Sequence, residues 1–441
     1  MGISNWIFLT VVLLAIGAFA WQVSKIRRNI MLGRGINRSD NPSLRLANMA
    51  RVALGQSKMV VRPVAGIMHI LIYVGFVIIN IEVLEIIIDG IFGTHRIFGF
   101  LGGLYDVLIA SFEILAFLVL FACVVFFARR NFMYIKRFRA RELTAWPKSD
   151  ANIILIVEIL LMSAFLSMNA SDAVLQTRGV EHYTQAGAFP ISGFLIPWFS
   201  SFSDGSLVAI ERFAWWFHIV GILLFLNYLP ISKHFHIILA FPNVYFASIK
   251  PKGEFSNLDK VTAEVKLMLD PDADPYAAPA EAPADGAVEK FGARDVPDLH
   301  WKNLMDAYTC TECGRCTSVC PANITGKLLS PRKIMMDTRD RMEEIGKGID
   351  KNGADFKDDK ALLGDYITAE ELWACTTCNA CVDACPVNIN PVEIIVDLRR
   401  YLVMEESKAP TELNGMFTNI ENNGAPWAFP QADRLKWAEE I

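Results

Sequence analysis

The polarity of the chain changes once, near residue 245. Before that point long apolar runs alternate with short charged segments; beyond it charged residues, proline and alanine are spread throughout. Five runs are long enough to cross a bilayer, which takes about 20 residues as helix. They cover 6–23, 64–88, 104–128, 151–170 and 210–231. Buried helices of a soluble protein would show polar residues at helical spacing, and these runs do not. The first run ends on Ala18-Phe19-Ala20, which imitates a cleavage site. No basic residue precedes it and a basic cluster follows, the reverse of a signal peptide, so it reads as an uncleaved anchor.

The second half predicts shorter helices at 331–345, 368–373 and 391–404, with a Gly/Asp/Lys-rich loop at 346–360. Between 270 and 298, repeated Pro, Ala, Asp and Glu cannot build a packed core and read as a linker. The predicted fold is therefore all-α: a five-helix transmembrane bundle over 1–245 and a connector over 246–298. An all-helical module at 299–406 and a tail at 407–441 complete it.

Charge orients the spans. Lys25, Arg27, Arg28, Arg34, Arg38, Arg45, Arg51, Lys58 and Arg62 crowd the first connection; Arg129, Arg130, Lys136, Arg137, Arg139, Arg141 and Lys148 crowd the third. The loops around His95 and His182 hold only Arg96 and Arg178. Basic loops stay cytoplasmic, which predicts an outside N-terminus, a cytoplasmic second half and a bacterial inner-membrane location. A net charge of −5 with no basic, aromatic-laced patch gives no case for nucleic-acid binding.

Eight of the nine cysteines form two copies of C-x2-C-x2-C-x3-C-P: Cys310, Cys313, Cys316 and Cys320 before Pro321, and Cys375, Cys378, Cys381 and Cys385 before Pro386. Two residues between thiolates let the chain curl around one face of an iron–sulfur cube, and the proline sends the fourth cysteine away. In this run three cysteines hold one [4Fe–4S] cluster and the fourth reaches the other. The expected sets are Cys310, Cys313, Cys316 with Cys385, and Cys375, Cys378, Cys381 with Cys320. Zinc sites pair two C-x2-C knuckles instead, and disulfides do not suit a reducing compartment. Cys123, alone in the third span, reads as an inert apolar residue.

Ionisable groups at membrane depth are costly and mark function. His69 lies just inside the cytoplasmic end of the second span, and His234 and His236 lie just past Pro230 at the same side. His218 sits about 27 Å above His236 at 1.5 Å per residue. Depth therefore pairs His69 with His236 as axial ligands of a b-type haem, with Arg62 and Lys233 placed for its propionates. Glu82, Glu85, Glu113 and Glu158 are intramembrane carboxylates, and quinol oxidation needs proton acceptors. Glu82, Glu113 and His95 are the quinone-side candidates, with His182 beside them.

The pattern His218-x11-Pro230-x-Ser232-Lys233-x2-His236 resembles the last helix of the nitrate reductase gamma subunit and its relatives. That resemblance, over roughly 1–245, implies five spans, an outside N-terminus and haem b between the second and fifth helices. It also implies quinol electrons passing to cytoplasmic iron–sulfur clusters. Two-haem members have a second histidine further along the second helix, where this chain has Ile79, so one haem is expected. His218 is then orphaned, a quinone ligand, or paired atypically with His95. The second half looks like the all-helical module of succinate dehydrogenase iron–sulfur subunits and heterodisulfide reductase small subunits. The combination resembles membrane-bound relatives of heterodisulfide reductase, including the fused electron-transfer-flavoprotein–quinone type. Those continue into CCG modules. No CCG motif occurs here, so the soluble substrate's site is expected on a partner, CCG-bearing or flavoprotein-like. No G-x-G-x-x-G, P-loop or Ser/His/Asp arrangement stands out.

The function these features predict is a quinone-linked electron-transfer subunit in contact with lipid and the quinone pool. A redox-sensing or assembly anchor is the alternative. A transporter is disfavoured because internal repeats are absent.

Overall fold

The computed structural model describes residues 2–272 and 290–439. Among them no β-strand forms; the only pairings are isolated bridges, Arg34 with His300 and Leu363 with Ile367. All five apolar runs lie in long helices: Ile3–Ile30, Pro63–Phe92, Gly103–Asn131, Trp146–Arg178 and Asp204–Tyr228. Each outlasts its apolar run because charged residues with long aliphatic stems continue the helix into the interface. Pro63 and Pro147 open helices where no partner for their missing N–H is needed. Gly93 and Gly179, with φ of +75° and +67°, close the second and fourth helices in the left-handed conformation that ends a helix.

The spans close into a ring in which each packs on the next in sequence and the fifth returns to the first. Phe8, Tyr105, Ile109, Phe112, Ala116, Phe165 and Ile219 fill its centre. A second core joins the two halves. Ile26, Ile30, Val52, Leu229, Phe235, Leu239 and Val244 pack in one continuous cluster with Leu304, Ile334, Met342, Leu362, Ile394 and Leu398.

Three helices of the second half fall where polarity placed them, over Pro331–Asn352, Ala369–Trp373 and Pro391–Met404, and a further one, not anticipated from the sequence, spans Trp301–Thr309. Thr368 and Glu371 form a reciprocal capping box at Ala369–Trp373. Two expectations change. The packed module begins before 299, because Ala293 and Val296 are fully buried in its core. The Pro331–Asn352 helix also runs through Gly346 and Gly348, residues read as loop formers. A side-chain carbon at Gly346 would lie 2.5 Å from the Asn29 amide, and at Gly348 it would meet the Phe356 ring. These glycines serve close packing, not a turn. Most of the Pro/Ala-rich linker lies outside the described residues. The 246–272 segment carries a helix at Asp259–Leu269, and the tail another at Thr411–Asn423.

Candidate functional site: two cysteine runs against a membrane histidine pair

The two cysteine runs share one backbone design. Glu312 and Gly314 in the first, and Thr377 and Asn379 in the second, adopt positive φ at equivalent positions. Cys316 and Cys381 then sit on short helices, Arg315–Val319 and Ala380–Ala384, that Cys320 and Cys385 terminate. Amide N–H groups of Thr377 and Ile389 point at the sulfurs of Cys375 and Cys385, each at 3.4 Å. Cys316 has Cys310, Cys313 and Cys385 for neighbours, with Cys381 also near. Cys381 has Cys375, Cys320 and Cys378. Cys385 is thus near Cys316 of the first run, and Cys320 near Cys381 of the second.

None of the nine cysteines is paired in a disulfide. Burial pushes the Cys310 and Cys381 thiols up to about 12 and Cys385 to about 11. Thiols so placed are inert unless a metal takes the proton's place. Cys378 is the exposed cysteine of the set, whereas Cys310, Cys320 and Cys381 are buried.

The first run lies against the end of the bundle that carries the basic connections. Arg62 donates to the Ser318 hydroxyl at 2.8 Å, Arg315 to the Lys58 carbonyl at 2.8 Å, and Lys58 to the Cys385 carbonyl at 3.2 Å. Arg332, fully buried, reaches Glu142 at 2.8 Å and the Arg137 carbonyl at 2.8 Å.

Directly above are the histidines. The His69 and His236 rings face each other with centroids 6.4 Å apart. His236 Nδ1 shares a 3.0 Å hydrogen bond with the Lys233 carbonyl, which fixes its proton there and leaves Nε2 bare. His69 Nδ1 is buried without a partner. Asp150, predicted as nothing in particular, builds the turn that aims His236: it accepts from Tyr228 at 2.6 Å, Ser232 at 2.7 Å and the Lys233 amide at 3.2 Å. Lys233 and Arg62, expected at propionates, are both bonded to the cysteine module, Lys233 through Glu312 and Arg62 through Ser318.

His218 is buried, with Nδ1 on the Leu161 carbonyl at 2.9 Å and its ring 5.7 Å from Phe165. The fifth helix stops at Tyr228 and turns through Leu229–Ile231 and Lys233–Phe235. The rise from His218 to that end is about 15 Å, so the larger separation, which assumed an unbroken helix, is corrected. His95 is not its mate. His95 bonds Asp172 at 3.2 Å, and its ring lies 5.5 Å from that of His182, tilted by 53°.

At the opposite end a buried polar network ties the spans. Arg96 reaches Asp172 at 2.6 Å, Asn169 at 3.0 Å and Tyr105 at 3.3 Å, while Tyr105 donates to Glu85 at 2.8 Å. Glu113 is filled by Asn169 and the Ile191 and Ser192 amides. Glu82 keeps one buried oxygen unpaired. Asp172 escaped the sequence reading because the fourth apolar run was cut at 170, two residues short of it.

The 4Fe-4S dicluster domain family matches residues 309–389. Over nearly its full length the chain is similar to the probable iron-sulfur-binding oxidoreductase FadF of Bacillus subtilis (strain 168), with 29% identity covering 98% of this chain and 60% of that protein. It is similar to the EtfAB:quinone oxidoreductase of Syntrophomonas wolfei, with 25% identity covering 99% and 60%. One component of the ferredoxin/F(420)H(2)-dependent CoB-CoM heterodisulfide reductase of Methanosarcina acetivorans is 36% identical over 24% of this chain and 52% of its own. The chain spans about 60% of the length of the first two relatives. No solved structure matches it. These likenesses and the five long apolar helices support a multi-pass membrane protein that carries a 4Fe-4S dicluster domain.

Proposed function

We propose that this chain carries electrons between quinol in the membrane and a cytoplasmic redox partner, by way of one haem b and two [4Fe–4S] clusters. The observation that carries the proposal is the His69–His236 pair, 6.4 Å between ring centroids and backed onto the first cysteine run. Iron held about 2 Å from a nitrogen on each face needs imidazole centroids roughly 6 Å apart. The free Nε2 of His236 and the unpartnered buried Nδ1 of His69 suit such a group. A bound haem supplies a one-electron carrier at the cytoplasmic face; Arg62 and Lys233 supply positive charge at that rim even as they bond Ser318 and Glu312.

The chain's own residues do the rest. His218, at mid-depth with Nδ1 occupied by Leu161, offers Nε2 to a quinol hydroxyl. Glu82, on the second helix about 20 Å beyond His69, is the carboxylate with an oxygen to spare, and Asp172 with His95 leads outward from it. Glu113 already holds three donors and serves to position the 189–192 segment. Cys310, Cys313, Cys316 and Cys385 hold the cluster nearer the membrane; Cys375, Cys378, Cys381 and Cys320 hold the outer one, whose exposed edge at Cys378 meets the partner. The basic connections support a cytoplasmic position for that edge and an outside N-terminus.

The test is a visible spectrum of the oxidised protein after adding a menaquinol analogue, with dithionite as the full-reduction control. A b-type α band with both reductants is expected. A band with dithionite alone would remove quinol oxidation from the proposal. No band with either would sink the histidine assignment and leave a redox-sensing or docking anchor.

A further inference from the structure

Lys233 touches both halves of the electron path. Its carbonyl accepts the His236 Nδ1–H at 3.0 Å, while its ammonium forms a buried ion pair with Glu312, the two side chains being 9% and 3% exposed. Glu312 stands between Cys310 and Cys313, in the left-handed conformation (φ +53°) that curls the first cysteine run. One residue therefore holds the histidine from one end and the cysteine loop from the other. A series of covalent bonds with two hydrogen bonds connects the imidazole to the thiols.

The surroundings make this link more than a generic latch. Other pairs between the halves, such as Arg332–Glu142 and Arg38–Glu393, include no residue that bonds a histidine ring, whereas Lys233 bonds the His236 ring and pairs with Glu312, which lies between two cysteines. A buried pair between isolated charges is weak evidence of stabilisation, since desolvation offsets the attraction; its better attested use is to fix one arrangement. Each charge also has a reserve partner. Arg339 sits 2.8 Å from Glu312, and Lys233 reaches the Pro147 carbonyl at 2.6 Å and Asp150 at 3.7 Å. Neither charge is stranded if the other is removed, so the Lys233–Glu312 bond is not required to keep either group tolerable in the interior.

We propose that Lys233 and Glu312 are positioning residues that hold His236 and the first cysteine run in the one geometry that lets an electron cross between them. The inference rests on the haem and cluster reading above. The step the pair would serve is a one-electron transfer, in which the one electron given up by a haem held at His69 and His236 would be the one gained by a cluster held at the first cysteine run, with no proton or covalent bond changing hands. Lys233 and Glu312 fix separation and orientation, to which rates are steeply sensitive.

The test uses the full chain with its cofactors, as wild type, Lys233→Met, Glu312→Gln and the double variant. Haem absorbance and cluster EPR signals report content, EPR redox titration reports the first cluster's potential, and freeze-quench EPR after mixing with a menaquinol analogue reports the rate of cluster reduction. Removing Glu312 raises the cluster's potential and removing Lys233 lowers it, so the double variant returns close to the wild-type value. Its transfer rate stays low, by about tenfold or more, as a shift near 1 Å at a reacting pair produces. Lys233→Arg, which keeps a donor for Glu312, retains most of the rate, and Glu312→Asp, a milder change less prone to misfold, slows it. A double variant whose rate recovers along with its potential would overturn the proposal, because the pair would then act only through charge. An unchanged rate in every variant would overturn it equally. A wild type without the haem band defeats the underlying reading, which the variants' rates alone cannot do.

Discussion

Gly33 is the place where one added methyl should loosen the two halves. Arg34 donates its amide to the Leu299 carbonyl at 2.7 Å, and Trp301 donates back to the Arg34 carbonyl at 3.0 Å, so the chain just after the first span bonds to the start of the cysteine module. A side-chain carbon at Gly33 would lie 2.7 Å from the Trp301 nitrogen and 2.8 Å from the Leu299 oxygen. Both are backbone atoms that cannot rotate aside. Overpacking of this kind costs about 1–3 kcal/mol, and weakening one of the two backbone bonds adds about 1 kcal/mol. The expected destabilisation of docking is about 2–4 kcal/mol, roughly a 30- to 1000-fold rise in the undocked fraction. Gly35 is the internal control, because nothing lies within 4 Å of a carbon added there. Hydrogen exchange in detergent should show Gly33→Ala accelerating the amides of the Trp301–Thr309 helix by that factor, with Gly35→Ala like wild type. Equal exchange in the two variants would refute the reasoning, since it would mean the bridge is not what holds the halves together.

Three further outcomes follow from the geometry. Arg96→Leu leaves the Asn169 oxygen unpaired and Asp172 with His95 alone and should destabilise the bundle by about 3 kcal/mol, seen as a lower melting temperature in detergent; Arg96→Lys should rescue only part, since an ammonium lacks the fork that reaches three acceptors. Burial alone would raise the Glu142 carboxyl, but Arg332 and the Ser330 hydroxyl hold it below its ordinary value. Its contribution to docking is therefore complete above the unfolded carboxylate range, about pH 4, and is lost as pH falls through the depressed folded value; Glu142→Gln should flatten that acid limb in a pH series of exchange rates. Finally, ferricyanide should destroy the cluster at exposed Cys378 before the inner one, with EPR showing two phases; loss in the opposite order would reverse the assignment of inner and outer clusters.

Much of this was legible in the sequence, for reasons that differ by element. The spans were visible because a bilayer imposes a length on an apolar run, but their ends were not, since Asp172 and Arg178 continue the fourth helix after hydropathy has fallen. The cysteine runs were visible because cluster geometry fixes the spacing, and their backbone repeats it down to the positive φ at Glu312 and Thr377. Pairing His69 with His236 needed only depth. What stayed hidden was long-range pairing: Lys233 and Glu312 are 79 residues apart, and nothing local marks either as the other's partner. Gly346 and Gly348 misled for a related reason, because a glycine that admits Asn29 or Phe356 looks the same as one that turns the chain.

The hydrophobic cluster shared by both halves sets an order of manufacture. Ile26, Ile30, Leu229, Leu239 and Val244 are synthesised and inserted well before Ile394, Leu398 and Leu402 exist to cover them. During that interval the bundle presents an oily ledge at the membrane surface, the kind of exposed patch that chaperones retain and proteases remove. Cys310 and Cys320 belong to the same cluster of buried residues, so closing the ledge also closes access to those thiols. Delivery of iron and sulfide therefore has to come before the last helices settle, and a chain that misses delivery stays marked for disposal by the surface it cannot hide.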